Sequence, residues 1–161
     1  MTGLGLAVLR LTVAVVLLAH GAHQLFGVLG GPGAGPGGLS STSAYFEGIG
    51  LTHPMPLAVL AGVLQLVGGA LITVGFLTRW ASLALIGYLG FLGWKDHLRW
   101  GFFMNWALDP TRGHGIEYSV LLIGTLACLI LTGAGDWSID GRSARRAAAR
   151  ASGRARLRTR E

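Results

Sequence analysis

Four long apolar runs constrain the fold of this 161-residue chain more than any other feature. Crossing a bilayer core of about 30 Å takes roughly 20 mostly apolar residues in helical form. The runs do not alternate polar with apolar residues, so helices fit them better than strands. The sequence therefore predicts an all-α polytopic membrane protein, a four-transmembrane-helix antiparallel bundle. The predicted spans lie at about residues 4–26, 57–77, 80–97 and 116–134.

Composition argues against two other classes of protein. Only 12% of the residues are charged, whereas an average soluble domain has about 25%. With 52% hydrophobic residues, the chain is also too apolar for a disordered protein. We therefore expect a multi-pass protein of the cell (inner or plasma) membrane, with the lipid bilayer as its main partner.

Positive charge is concentrated at the C-terminal end of the chain. The net charge is +6, and residues 142–161 contain eight arginines and one acid. The rest is close to neutral, so a basic groove for nucleic acid is not indicated and no nucleic-acid partner is expected. We expect residues 1–140 to form the membrane domain and residues 141–161 to form a disordered, Arg-rich tail. The alternative for the tail is a helix lying on anionic lipid.

The arginines also predict an orientation. Arg-rich segments stay in the cytoplasm, and an even number of spans then places both termini there. The two longer loops, at about residues 27–56 and 95–115, would face outside. Residues 30–38 read as a Gly/Pro-rich linker, because no Gly-Lys-Ser/Thr follows as in a phosphate-binding loop.

Polar residues collect at the predicted outer ends of the spans. His20 and His23 are spaced i, i+3, as are His114 and Glu117, so each pair shares a helical face. Intramembrane polar residues are costly and are default site candidates, which adds Gln65. The candidate substrate- or quinone-binding residues are His20, His23, Gln65, Lys95, His97, Arg99, His114 and Glu117.

Three interpretations of this cluster stay open from the residues alone. It could cap helices and form ion pairs, notably Glu117 with Lys95 or Arg99. It could form a proton-carrying pocket for a small redox-active or acidic substrate. It could bind a metal through imidazoles and a carboxylate. No catalytic residue and no metal ligand is assigned, and the single cysteine, Cys128, excludes an intramolecular disulfide.

Several motifs in order resemble the DoxX/DoxD family of small four-helix membrane proteins, over about residues 4–140. One departure is that relatives often have Glu at the position of Gln65, which argues against a proton relay there. The motifs are HGAHQLFG at 20–27, QLVGGAL at 65–71, GFLTRWA at 75–81, EY at 117–118 and GAGDWSID at 133–140.

The resemblance implies two kinds of function. One family member is a subunit of thiosulfate:quinone oxidoreductase, which implies sulfur, thiol or quinone redox chemistry in an electron-transfer subunit, with quinone as the candidate cofactor. Another looks like a non-catalytic membrane scaffold that joins soluble oxidant-defence proteins. A small-molecule transporter is a third interpretation. Whether the chain is itself an enzyme stays open, and soluble redox proteins or a second copy of the chain are the expected protein partners.

Overall fold

In the computed structural model, which describes residues 2–30 and 35–158, all regular structure is helical. A short 3-10 helix, His97–Trp100, follows α4. The α-helices are α1 (Thr2–Phe26), α2 (Gly38–Gly48), α3 (Pro54–Val74), α4 (Thr78–Lys95), α5 (Glu117–Thr132) and α6 (Ile139–Arg158).

Helices α1, α3, α4 and α5 pack as an antiparallel bundle. At one end Arg10 of α1 reaches Ala134, just beyond α5. At the other end His20 of α1 meets Tyr118 in the first turn of α5. Helices α3 and α4 are joined by a tight turn in which Gly75 has a φ of 67°. A side chain there would meet Ser138 and Arg10, so this turn requires glycine in both conformation and space.

The closest helix contact is between α1 and α3. A Cβ at Gly21 would lie 2.6 Å from the backbone nitrogen of Leu66 and 2.9 Å from the carbonyl oxygen of Gly62. Small residues at such a crossing let two backbones approach. The contact brings Gln24, one turn beyond Gly21, beside Gln65 of α3.

The centre of the bundle contains a cluster of buried apolar side chains. Large side chains on the outer faces are exposed instead, for example Leu131 at 80%. An apolar outer surface of this kind suits lipid contact. The buried centre contains Val13, Leu17, Ile72, Leu85, Leu126 and Leu129.

The helix bounds agree with the predicted spans to within a few residues. By length and composition two helices are able to cross a membrane, Gly3–Phe26 and Pro54–Val74. Helix α5 is apolar but has 16 residues, and α4 does not meet the same criterion of hydropathy. The predicted helical class is therefore confirmed, whereas four spans stay a prediction.

Two segments differ from the sequence-based expectation. Helix α2 lies inside the predicted loop at residues 27–56, and the linker residues 31–34 lie outside the described part of the chain. Residues 141–158 of the tail, which we expected to be disordered, are instead part of α6, because alanine and arginine are strong helix formers. Residues 159–161 of the tail also lie outside the described residues.

Candidate functional site

The two ends of the bundle differ in the polar groups they carry. We call the end with the C-termini of α1 and α4 the α2 end, because α2 packs there against α1 and α3. We call the opposite end the α6 end, because α6 begins there at Ile139. The predicted site residues fall at the α2 end, apart from Gln65, which lies deeper in α3.

A hydrogen-bond network of uncharged side chains lies inside the bundle near the α2 end. The Nε2 of Gln65 donates to Oε1 of Gln24 at 2.7 Å and lies 3.3 Å from the hydroxyl of Tyr88. Gln65 is buried, and Tyr88 is half-buried. Three helices thus each contribute one polar group, which satisfies the buried amide as a low-dielectric interior requires.

An apolar cavity of about 260 Å³ lies beside this network, between α2, α3 and α4. Tyr88 lines it and is the polar residue among otherwise apolar lining side chains. Leu60 and Phe91 in the wall are exposed, so the cavity opens on the lateral surface of the bundle. We call it the lateral cavity. Its other lining residues are Phe46, Leu51, Leu57, Ala61, Leu64, Ala84 and Leu92.

A charged network ties α2 to the end of α4. Asp96, which is buried, accepts hydrogen bonds from the Tyr45 hydroxyl at 2.5 Å and from Arg99 at 2.5 Å. Burial alone would raise the pKa of Asp96. The hydrogen bonds from Tyr45 and Trp100 and the charge of Arg99 outweigh it, so the pKa of Asp96 is lowered. Burial and the bond to Asp96 raise the pKa of Tyr45.

A second, polar cavity of about 420 Å³ lies over this charged network. Arg99 and Arg112 both line it, and the Arg99 guanidinium stacks over Trp100 at 4.8 Å from the ring centre. We call it the polar cavity. The two cavities are neighbours, because Tyr45 lines the polar cavity, Phe46 lines the lateral one, and their ring centres are 5.6 Å apart.

The ion pair of Glu117 with Lys95 or Arg99, part of one of the three interpretations, is not found among the described residues. Arg99 pairs with Asp96 three residues earlier, because the 3-10 turn after α4 folds the guanidinium back onto that carboxylate. Oε2 of Glu117 instead accepts the backbone N–H of Met104 at 3.0 Å. Glu117 therefore anchors the loop before α5.

Two of the predicted histidines lie close together at the start of α5. Nδ1 of His97 is 2.9 Å from the hydroxyl of Ser119. Burial lowers the pKa of His97, with nearby His114 adding to the effect and Asp96 opposing it. Nδ1 of His114 accepts the backbone N–H of Asn105 at 3.3 Å.

The remaining candidates are spread over the same end. His20 faces Tyr118, with 3.2 Å between Nε2 and the hydroxyl. His23 lies 2.9 Å from the carbonyl oxygen of Val28 and so fixes the turn after α1. Lys95 ends α4 and is half-exposed. Within residues 2–30 and 35–158, no group of three or more His, Cys, Asp or Glu is arranged to hold a metal ion.

The α6 end is held by bonds from charged side chains to backbone. Arg10 is buried and donates to the carbonyl oxygens of Ala134 at 2.7 Å and Trp137 at 2.8 Å. Asp140 accepts the backbone N–H groups of Leu77 at 3.1 Å and Thr78 at 3.0 Å, which begin α4. Asp136 forms an exposed ion pair with Arg145.

Sequence reasoning missed three residues of the α2 end. Tyr88 lies in an apolar run and reads as a core residue, Gln24 follows the histidine pair, and Tyr45 lies in a segment that reads as loop. The one available signal was Gln65, because a buried amide needs partners on neighbouring helices. Only the structure identifies those partners.

Comparison with known proteins gives one match. A family model described as DoxX matches residues 5–97, which is more than half of the chain and includes α1 to α4. No curated protein and no solved structure matches. The matched region contains Gln24, Gln65 and Tyr88, whereas α5 and α6 lie beyond it.

Proposed function

Because this chain belongs to the DoxX family of membrane proteins, we propose that it binds the head group of a quinone in the lateral cavity. In this proposal the protein is an electron-transfer subunit of sulfur or thiol redox chemistry. The observation that carries the proposal is that Tyr88, whose hydroxyl is bonded to Gln65, lines an otherwise apolar cavity that opens on the lateral surface.

The shape and polarity of the lateral cavity suit a quinone. A quinone has a flat ring, two carbonyl oxygens and, in membranes, an apolar tail. Apolar walls with a few placed polar groups are typical of small-molecule sites. The tail would leave through the exposed side of the cavity, past Leu60 and Phe91, into lipid.

Tyr88 and Gln65 would hold the ring in place. The Tyr88 hydroxyl would donate a hydrogen bond to one quinone carbonyl, while Gln65, 3.3 Å away, fixes the position of that hydroxyl. Gln65 and Gln24 do not titrate, so in this proposal the pair orients the head group and does not deliver protons.

The polar cavity is the proposed site of the electron donor. Arg99 and Arg112 line it, and guanidinium groups bind anions by paired hydrogen bonds. A small thiolate or other sulfur anion, or such a group presented by a soluble redox protein, fits this chemistry. Two thiolates would lose two electrons as one disulfide bond forms, and the quinone would take up those electrons and two protons to give the quinol.

The first test is to fill the lateral cavity from its exposed side. Ala84 lines the cavity and is exposed, so Ala84→Phe adds a ring without disturbing the core. Leu83→Phe, on an exposed position that does not line the cavity, is the matched control. Quinone bound after gentle extraction from the membrane is counted by native mass spectrometry.

We expect about one quinone per chain in the unmodified protein and in Leu83→Phe, and at least a fivefold loss in Ala84→Phe. Equal retention in both variants would contradict the site. If the unmodified protein were recovered with partner chains bound and without quinone, the scaffold interpretation would be favoured instead.

A further inference from the structure

A further cavity lies at the α6 end, remote from the proposed quinone site. It has a volume of about 540 Å³ and lies between the start of α4, the chain after α5 and the first turns of α6. We call it the α6 cavity. Its lining includes Thr78, Arg79, Trp80, Asp136 and Arg145.

The α6 cavity lies where the apolar helices end. Helix α4 begins at Thr78 and α5 ends at Thr132, and both residues line the cavity. Trp80 and Trp137 beside it are 70% and 65% exposed. Exposed tryptophans at helix ends mark the level of lipid head groups. The cavity therefore lies at the depth where lipid phosphates are found.

The charges around the α6 cavity do not cancel. Arg79 and Arg145 line it together with Asp136 and Asp140, and Arg10 lies behind its wall. Asp136 is neutralised by Arg145, and both oxygens of Asp140 accept backbone N–H groups. Three guanidinium groups against two carboxylates leave one positive charge uncompensated.

Arg79 is the group free to bind an anion. In the described part of the chain it forms no ion pair and no hydrogen bond, and its guanidinium lies over Gly133 at the cavity wall. Thr78 also lines the cavity, and its hydroxyl is buried and has no hydrogen-bond partner among the described residues. A ligand oxygen that reached this hydroxyl would satisfy it.

We propose that the α6 cavity binds the phosphate of an anionic phospholipid, with Arg79 as its principal contact. A phosphodiester carries one negative charge, which matches the uncompensated positive charge. Basic pockets between membrane helices are typical sites for anionic head groups. Arg142 and Arg146 follow in the exposed part of α6 and extend the positive surface along the same lipid layer. This proposal does not rest on quinone binding.

The test compares Arg79, which lines the α6 cavity, with arginines on the exposed part of α6. The protein is reconstituted in nanodiscs containing equal amounts of phosphatidylglycerol and phosphatidylcholine, then released gently for native mass spectrometry. The variants are Arg79→Gln, the double variant Arg142→Gln/Arg146→Gln, and Arg150→Gln as the matched control. Arg150 is exposed on α6 and does not line the cavity.

We expect the unmodified protein and Arg150→Gln to retain one phosphatidylglycerol, and Arg79→Gln to lose it at least fivefold. The double variant should keep the one phosphatidylglycerol in the α6 cavity. It should bind fewer additional phosphatidylglycerol molecules than the unmodified protein. Retention unchanged by Arg79→Gln would overturn the proposal, as would loss in the double variant alone, which would place lipid binding on the α6 surface.

A second arm separates a lipid from free phosphate. The unfolding temperature in neutral detergent is measured with added phosphatidylglycerol or with inorganic phosphate at the same ionic strength. We expect stabilisation by the lipid in the unmodified protein, absent in Arg79→Gln. Equal stabilisation by inorganic phosphate would make the cavity a site for the free anion and overturn its assignment to a lipid.

Discussion

The two ends of the bundle use polar groups in different ways. At the α6 end, Arg10 and Asp140 bond to backbone atoms of other segments. At the α2 end, Gln65 bonds to Gln24 and Tyr45 to Asp96, side chain to side chain. A bond to backbone holds the fold itself, whereas side chains can exchange one partner for another without moving a helix. The backbone bonds of Arg10 and Asp140 therefore hold the fold at the α6 end, whereas the side-chain bonds at the α2 end can rearrange around a quinone.

The largest expected effect is on stability at the α6 end. Arg10→Met would leave the carbonyl oxygens of Ala134 and Trp137 without donors. Hydrogen bonds from charged groups contribute about 1.5–3 kcal/mol each, so we expect a loss of about 3–5 kcal/mol in the free energy of unfolding. The free energy of unfolding is measured in mixed micelles with an increasing fraction of denaturing detergent. A loss below about 1 kcal/mol would show that Arg10 does not hold this end.

The next effect concerns the helix contact that positions the Gln24–Gln65 pair. Gly21→Ala places a Cβ against backbone atoms of α3, which cannot rotate away, so α1 and α3 must separate. We expect a loss of about 2–3 kcal/mol by the same unfolding measurement. Gly87→Ala is the control, because a Cβ at Gly87 meets nothing within 4 Å. Equal stability of the two variants would contradict the close contact.

A smaller loss of stability is expected at the start of α4. Asp140→Asn keeps the size of the side chain but replaces one of the two accepting oxygens and removes the charge that favours the start of a helix. We expect a loss of about 1–2 kcal/mol. Asp136→Asn, on an exposed ion pair, should change stability by less than about 0.5 kcal/mol. Equal losses of unfolding free energy in Asp140→Asn and Asp136→Asn would contradict this prediction.

The smallest effect depends on pH at the α2 end. The folded state lowers the pKa of Asp96 from its ordinary 3.8, so the carboxylate stabilises the fold above that pH. The contribution is lost as the pH falls through the lowered value. We expect the unfolding temperature of the unmodified protein to drop more than that of Asp96→Asn between pH 5 and pH 2. If the unfolding temperatures of the two proteins fell in parallel with pH, the role of Asp96 would be contradicted.

The sequence predicted the parts of the fold that depend on hydropathy. Long apolar runs mark α1 and α3, and the antiparallel bundle predicted from the four runs is the arrangement that α1, α3, α4 and α5 adopt. The match to the DoxX family confirmed the resemblance seen in the motifs. Helix α2 was missed because its mixed composition, GLSSTSAYFEG, lacks a long apolar run and its face is set by packing on α3.

The site was predictable only in part, because its geometry depends on which helix faces which. Gln65 stands out as a polar residue in an apolar run, but its partners come from two other helices. The ion pair with Arg99 that one interpretation gave to Glu117 does not form, because a local turn brings Arg99 to Asp96. Tyr88 gave no signal, since a tyrosine in an apolar helix usually packs in a core.

One crossed measurement tests the division of roles between the two ends most directly. Quinone retained per chain and free energy of unfolding are both measured for Tyr88→Phe and Asp140→Asn. We predict that Tyr88→Phe retains at least fivefold less quinone per chain than the unmodified protein. Its free energy of unfolding should change by less than about 1 kcal/mol. Asp140→Asn should lose stability and keep the quinone. If Tyr88→Phe retained quinone fully while Asp140→Asn released it, the account of the two ends would be contradicted.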